Sequence, residues 1–296
     1  MKGHGKVAAV VTTFKPDASL LVNLQRIAHQ VSMVVVVDDS GRPASPTSFA
    51  SSGLDNVVLL KNQANLGIAA ALNRGVSRAA DAGCEWILTL DDDTLVTENY
   101  VDEVFDFIEK RTLPLLGMVA CSRATRRVDR GEEEYATKRT LITSGCIFAV
   151  ATHRAVGGFD EDFFIDLVDF DFCTRLRKAG LAVVLLNKVR LLHKVGNSRK
   201  IELLGRSVVV YNHAPFRLYY QMRNVWFFAK KHFSYDLALC LYLLLDCIRL
   251  PVKALLFEDR KVDRLRYLLL GLFDGIRGRA GRLRLRIEQD GGKSRE

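Results

Sequence analysis

Apolar positions along the first ninety residues switch between short β-branched runs and stretches with helical spacing. Val7–Thr13 is nearly all apolar and ends in the turn signal Lys15-Pro16-Asp17. Leu20, Leu21, Leu24, Ile27 and Ala28 then recur at helical intervals, which predicts a helix over 19–30. Residues 33–37 lack the polar alternation of a half-exposed strand and suit one buried on both faces. Further strands are predicted over 57–60 and 86–90. An alanine-rich helix over 68–82 lies between them, ended by Gly83.

The middle of the chain is less regular. Residues 141–150 read as a strand or strand pair, 169–179 as a helix ended by Gly180, and 181–187 as a strand. The last third differs in character. Residues 237–257 are strongly apolar but are interrupted by Asp246, Arg249, Pro251 and Lys253. A spanning helix needs roughly 20 apolar residues with few charges. An in-plane helix pair with basic flanks fits this stretch better. Two regions are expected: an α/β domain over 1–205 and a helical, basic, membrane-associating region over 206–296.

The order strand, helix, strand, strand, helix, strand implies an α/β fold with an open, mostly parallel sheet flanked by helices. Such sheets bind ligands at the carboxyl ends of their strands. Asp38, Asp39, Asp91 and Asp93 all fall at such ends.

Charge sharpens the division. Residues 188–296 carry 23 Lys and Arg against 10 Asp and Glu, whereas residues 1–187 carry 20 against 24. The excess of +9 therefore belongs to the C-terminal third, where Arg266, Arg277, Arg279, Arg282, Arg284 and Arg286 accompany apolar helices. Basic residues beside apolar helices point to an anionic membrane surface. They do not interleave with sheet aromatics, which disfavours nucleic acid. The six cysteines form no C-x-x-C pair and read as reduced thiols. Met1–Lys6 leads straight into the first strand. Both features suit a cytoplasmic protein, peripheral at the inner face of the membrane.

Two acidic clusters could carry chemistry. Asp91-Asp92-Asp93 places three mutually repelling carboxylates at a strand end, tolerable where a divalent cation neutralises them. Hard oxygen donors select Mg2+ or Mn2+. Alternation along extended backbone would point Asp91 and Asp93 one way and Asp92 the other. In the second cluster Asp166, Asp169 and Asp171 sit among Phe163, Phe164, Phe170 and Phe172. Apolar surroundings raise a carboxylate's pKa toward the range of a general base. Of Asp169 and Asp171, one is expected to cap the helix or pair with arginine and the other to act in catalysis.

These residues carry a resemblance. Val34–Ser40 (VVVVDDS), Asn65–Gly75 (NLGIAAALNRG), Leu90–Thr94 (LDDDT), Gly157–Ile165 (GGFDEDFFI) and Val168–Gly180 (VDFDFCTRLRKAG) occur in an order that resembles family-2 inverting glycosyltransferases of the GT-A fold. Phe164–Asp169, Leu192–Gly196 and Phe216–Asn224 (FRLYYQMRN) are similar to pieces of bacterial rhamnosyltransferases. The resemblance spans about residues 7–230.

It implies a role for each matching position. Thr12, Thr13, Phe14 and Asp38 would hold the nucleotide, and Asn65, Gly67, Asn73 and Asp92 would line the donor pocket. Asp91 and Asp93 would bind Mg2+ or Mn2+. His193 would approach the metal or the diphosphate, and Asp169 would be the base. Arg223, beside Asn224, is assigned to binding the diphosphate of the nucleotide-sugar, or the acceptor. Rhamnosyltransferases of this group often have glutamine where Asp92 stands; related galactofuranosyltransferases often have a third aspartate there, and usually tryptophan where Leu167-Val168 and Lys194 stand. The donor expected is dTDP-rhamnose, with UDP-galactofuranose as the alternative. The acceptor expected is a lipid-linked or polysaccharide glycan of the cell envelope. A nucleotidyltransferase would need a glycine-rich basic loop where Lys15-Pro16-Asp17 stands. A non-catalytic membrane-binding relative would leave the acidic motifs unexplained.

Overall fold

The computed structural model describes residues 5–17, 19–41, 53–111, 113, 115–123, 133–193, 199–203, 206–210 and 214–283, with residues 123, 190, 192, 193, 199–203 and 206–210 described by their backbone alone. The first half builds a parallel half-sheet. Strands β1 (Val7–Thr13), β2 (Met33–Asp38), β3 (Val57–Lys61) and β4 (Trp86–Asp91) lie in the order β3-β2-β1-β4. Val34 to Val37 are fully buried because both faces of β2 are covered. Helix α1 (Ser19–Ala28) packs Leu20, Leu24 and Ile27 with Val34 and Val36, and α2 (Ile68–Asp81) packs Leu72 and Val76 with Val35 and Val37. Alternating side chains thus serve opposite layers.

The second half extends this sheet with mixed directions. It comprises β5 (Thr94–Val96), α3 (Tyr100–Arg111), β6 (Leu116–Arg123), β7 (Tyr135–Thr137), β8 (Cys146–Ala149), α4 (Val150–Ala155), α5 (Val168–Lys178) and β9 (Ala182–His193). β8 runs antiparallel between β4 and β6, while β9 runs parallel to β6 and antiparallel to β5. β10 (Arg199–Leu203) and β11 (Arg206–Val210) form a separate hairpin.

Only residues 146–149 of the expected 141–150 strand are extended. Thr143 O accepts Thr89 Oγ1 at 2.6 Å and Ser144 Oγ accepts Asp91 N at 3.0 Å, which turns the preceding residues onto the end of β4. α3 is a helix beyond those expected from the pattern, and Val101, Val104 and Phe105 form its buried stripe.

The chain ends in α6 (Pro215–His232), α7 (Leu237–Leu244), α8 (Asp246–Phe257) and α9 (Lys261–Arg277). The 237–257 stretch is therefore a helix pair, with Pro251 inside the second member. The core crosses the expected boundary at 205/206. Val225 and Phe228 of α6 and Leu239 and Leu243 of α7 join the cluster that holds Phe148 and Phe172. α9 lies close against α6 because Gly271 faces the carbonyl of Tyr219, where any Cβ would collide. No helix among the described residues is long and apolar enough to cross a membrane.

Candidate active site

A cleft of about 1280 Å³ opens at the carboxyl ends of β1 and β4. One wall holds Thr12, Thr13 and Phe14 after β1, Asp39 after β2, and Asn65 and Gly67 before α2. Asp91, Asp92 and Asp93 lie at the end of β4, and Asp166 and Asp169 come from the entry to α5. The opposite wall is C-terminal, with Arg217 of α6, Tyr242 of α7, and Asp246, Arg249 and Lys253 of α8. The volume exceeds the roughly 300–1,000 Å³ of a typical small-ligand site and leaves room for two substrates.

The acidic triplet departs from simple alternation. Extended backbone ends at Asp91, Asp92-Asp93 form a turn, and all three residues line the cleft. Thr13 Oγ1 donates to Asp92 Oδ2 at 2.6 Å, and Asn23 Nδ2 donates to the Asp92 carbonyl at 2.5 Å. Burial pushes the Asp92 carboxyl up, against the hydrogen bond from Thr13. Asp92 is thus tied to β1. Asp91 and Asp93 are a pair of hard oxygen donors of the kind that hold Mg2+ together with phosphate oxygens and water. Among the described residues no three His, Cys, Asp or Glu side chains form a metal-holding group.

The two acids of α5 sit in different surroundings. Asp169 is half-buried at the cleft and accepts Phe170 N at 3.0 Å on Oδ1. Burial, reinforced by Asp166 and Asp91, raises its pKa to about 7. Asp171 is fully buried on the other side of the helix. Arg175 Nε donates to it at 2.8 Å, Lys231 Nζ at 2.8 Å, and His232 Nε2 lies 2.8 Å away. Burial alone would raise its pKa; His232, Arg175 and Lys231 outweigh that and bring it down to about 2. The either-or expected of these acids resolves with Asp171 as the paired member.

The loop that delivers Asp169 has an unusual backbone. Phe164, Asp166 and Leu167 have φ of 62°, 64° and 61°, in the left-handed region. Gly67 (φ 93°) fits against it, since a Cβ there would stand 2.5 Å from the Phe164 carbonyl. Ile68 N donates to that carbonyl at 2.8 Å. Arg217 grips the Asp166 carboxylate from α6, with Nη2 at 3.0 Å from Oδ1 and Nε at 3.2 Å from Oδ2.

Several expected site residues stand elsewhere. Asp38 is buried and does not line the cleft, because Ser40 N and Oγ bond its Oδ1 at 3.0 and 2.5 Å and hold it back. Its neighbour Asp39 lines the cleft instead, accepting Leu66 N and Gly67 N at 2.8 Å and Asn62 Nδ2 at 2.7 Å. Asn73 is also outside the cleft lining. Its amide clasps the 159–161 turn, donating to Phe159 O and accepting Phe159 N, each at 2.8 Å. Arg223 is completely buried away from the cleft, among Tyr219, Tyr220 and Phe227. It donates to the carbonyls of Asp162, Phe163 and Gly281. The backbone of His193 pairs with Thr94, directly after the acidic triplet, and its side chain lies outside the described residues. Arg217, Arg249 and Lys253 were not foreseen as cleft residues; nothing in their spacing marks them before the helices are placed against the sheet.

Comparison with known proteins bears on this arrangement. The pattern of glycosyl transferase family 2 matches residues 8–166, which include β1, the acidic triplet and Asp166. The dTDP-rhamnosyl transferase RfbF of Shigella flexneri is 23% identical over 296 residues, covering 94% of this chain and 98% of that protein. S. aureus TarS (residues 1–349), solved in complex with UDP-GlcNAc, superposes with a TM-score of 0.55 at 16% identity, covering 93% of this chain and 81% of TarS. GalNAc-T7, solved with UDP, GalNAc and Mn2+, gives 0.51 at 14% identity, over 68% of this chain and 44% of its own. These structural likenesses show the GT-A fold, the mixed sheet between helical layers found here. The family pattern takes in more than half of the 296 residues, among them Thr12, Thr13, Asp39, Asn65 and the acidic triplet of the cleft, and the chain belongs to glycosyl transferase family 2.

Proposed function

We propose that this glycosyltransferase transfers L-rhamnose from dTDP-rhamnose, with inversion, to a hydroxyl of a lipid-linked or polysaccharide acceptor at an anionic membrane surface. The observation that carries the reading is Asp169, a carboxylate of raised pKa in the same cleft as Asp91 and Asp93. Asp169 takes the proton from the acceptor hydroxyl, and that oxygen attacks the anomeric carbon. The bond to the diphosphate breaks, its electron pair leaves with dTDP, and the configuration inverts. Near neutral pH such a base is deprotonated yet still basic enough to accept a proton. Asp91 and Asp93 would hold Mg2+ or Mn2+, which would supply charge to neutralise the diphosphate leaving group. Thr12, Thr13, Phe14, Asn65 and Gly67 form the wall for nucleotide and sugar, and the α6–α8 wall receives the acceptor. The rhamnose donor is supported by the likeness to RfbF over nearly its whole length.

The membrane surface is supported by the last helices. Leu265, Leu269, Phe273 and Ile276 of α9 recur at helical spacing and are all exposed, as are Ile248, Val252, Leu255 and Leu256 along α8. Arg260, Lys261, Arg266, Arg277 and Arg279 are exposed around them. Apolar faces rimmed by cations suit an anionic lipid interface.

Calorimetry with dTDP, UDP and GDP, each with and without Mn2+, tests the core of the reading. Binding of dTDP that requires the ion and is lost in Asp91→Ala/Asp93→Ala is the expected result. Selective binding of UDP would turn the donor to UDP-galactofuranose, and binding of none would refute the transferase reading. Pelleting with phosphatidylglycerol vesicles, reversed by high salt, tests the surface. Failure to pellet at low salt refutes it.

A further inference from the structure

Arg223-Asn224 stands out in the sequence, yet neither residue lines the cleft. Both are completely buried. Their hydrogen bonds converge on the short loop between Asp162 and Asp166. Asn224 Nδ2 donates to Phe163 O at 2.9 Å, Ile165 O at 2.6 Å and Asp166 O at 2.8 Å. Its Oδ1 accepts Arg223 Nε at 2.9 Å, which fixes the orientation of the amide. Arg223 Nη2 donates to Asp162 O at 3.0 Å and Phe163 O at 2.9 Å.

This is the loop whose non-glycine residues 164, 166 and 167 are left-handed. Residues with a Cβ rarely hold that conformation, and it persists only where the surroundings over-determine it. Leu167, the last of them, is the N-cap of α5, and its carbonyl accepts Asp171 N at 2.9 Å. The loop therefore sets where the first turn of α5 begins and which way Asp169 points.

We propose that Asn224, with Arg223 bracing its amide, is a positioning residue for Asp169, holding the 163–167 backbone in the shape that aims this carboxylate into the cleft. The inference rests on the reading of Asp169 as the base. Asn224 acts from behind the loop and touches no substrate. Without its donors the Ile165 and Asp166 carbonyls lose the amide that holds them, Phe163 O keeps only Arg223 Nη2 and Ile165 N, and the loop relaxes toward ordinary backbone angles. Asp169 then leaves its position and gains water. The charged groups that act on Asp169 are Asp166, Asp91 and Arg217, with the buried thiols of Cys146 and Cys173 nearby.

The test compares Asn224→Leu, Asp169→Asn and the double variant of the full chain. dTDP binding is followed by calorimetry, and dTDP release from dTDP-rhamnose is followed with a cell-envelope lipid extract as acceptor. Asn224→Leu should bind dTDP as the parent does, yet turn over about 100-fold slower, the loss expected when a reacting group is displaced by an ångström or so. The rising limb of its pH profile should move to lower pH as Asp169 becomes hydrated. The double variant should be no slower than Asp169→Asn alone, because both changes act through one group.

Parental turnover in Asn224→Leu alongside a dead Asp169→Asn overturns the positioning role and leaves the base intact. Losses that multiply in the double variant overturn it as well. Normal turnover in Asp169→Asn refutes the base itself. Should Asn224→Leu fail to fold, Asn224→Ser keeps one donor. Its amide exchange should rise over residues 163–170 alone while turnover falls; increased exchange there with parental turnover overturns the proposal.

Discussion

The two sides of the first turn of α5 treat the same side chain in opposite ways. Toward the cleft, Asp169 has backbone donors alone and two acidic neighbours, and its pKa is raised to about 7. Toward the core, Asp171 is more deeply buried but meets Arg175, Lys231 and His232, and its pKa falls to about 2. Burial acts on both carboxylates in the same direction, and the partners decide the outcome. The acid proposed as the base is the one whose charge is left uncompensated, and the one whose charge is matched is tied into the fold.

The largest effect that would break this contrast is on turnover. Asp169→Asn should lower the transfer rate by about three orders of magnitude, the middle of the range for removing a general base, with dTDP affinity retained. In the parent enzyme the rate should rise with pH and level off above about 7, as Asp169 loses its proton. Stability should move the other way. The folded state holds a proton on Asp169 that the unfolded chain has released by pH 5, so the contribution of this group falls as pH rises from about 4 to about 7. Thermal unfolding of Asp169→Asn across that window should lack this slope, and an unchanged slope would assign the raised pKa to another group.

Asp171→Asn should reverse the pattern. Removing one member of a buried, hydrogen-bonded ion cluster leaves Arg175, Lys231 and His232 facing a neutral amide, at a cost of about 3–5 kcal/mol. Urea unfolding should show that loss, while turnover per folded molecule stays within a few-fold of the parent. The stabilisation due to Asp171 is complete above about pH 4 and is lost as pH falls through about 2. If turnover collapsed while stability held, the two acids would have been given each other's roles.

The sequence announces this contrast only in part. Aromatic neighbours and the two-residue spacing single out Asp169 and Asp171, but which one is neutralised depends on Lys231 and His232, about sixty positions away on α6. The parallel half-sheet is legible because β2 is continuously apolar and α2 carries a clear stripe. The mixed half is not. β8 and β5 are 4 and 3 residues long, too short for a period to declare itself. Arg223 and Asn73 misled for one reason: a polar side chain that organises backbone carbonyls from within looks, in sequence, like one that awaits a ligand. Their hydrogen bonds run to residues roughly sixty to ninety positions away, a relation that local pattern does not contain.

A second pair of adjacent acids repeats the contrast at smaller amplitude. Asp39 faces the cleft wall, with both carboxylate oxygens accepting backbone N–H groups from the 65–67 turn. Asp38 is turned inward, with Oδ1 bonded by Ser40 and Oδ2 buried without a partner. Asp39→Ala removes the acceptor that holds Leu66, Gly67 and Asn62, so dTDP affinity should fall about 10-fold, the worth of roughly one charge-assisted hydrogen bond. Asp38→Asn keeps the oxygen that Ser40 needs and exchanges one unpartnered polar atom for another. It also removes a buried charge, so it should change dTDP affinity by less than about 2-fold and leave the unfolding midpoint at or slightly above that of the parent. A large loss of dTDP affinity in Asp38→Asn would show that the unpartnered oxygen meets the nucleotide when donor binds. In that case the inward acid would be the recognition residue, and facing the cleft before donor arrives would be a poor guide to role at this strand end.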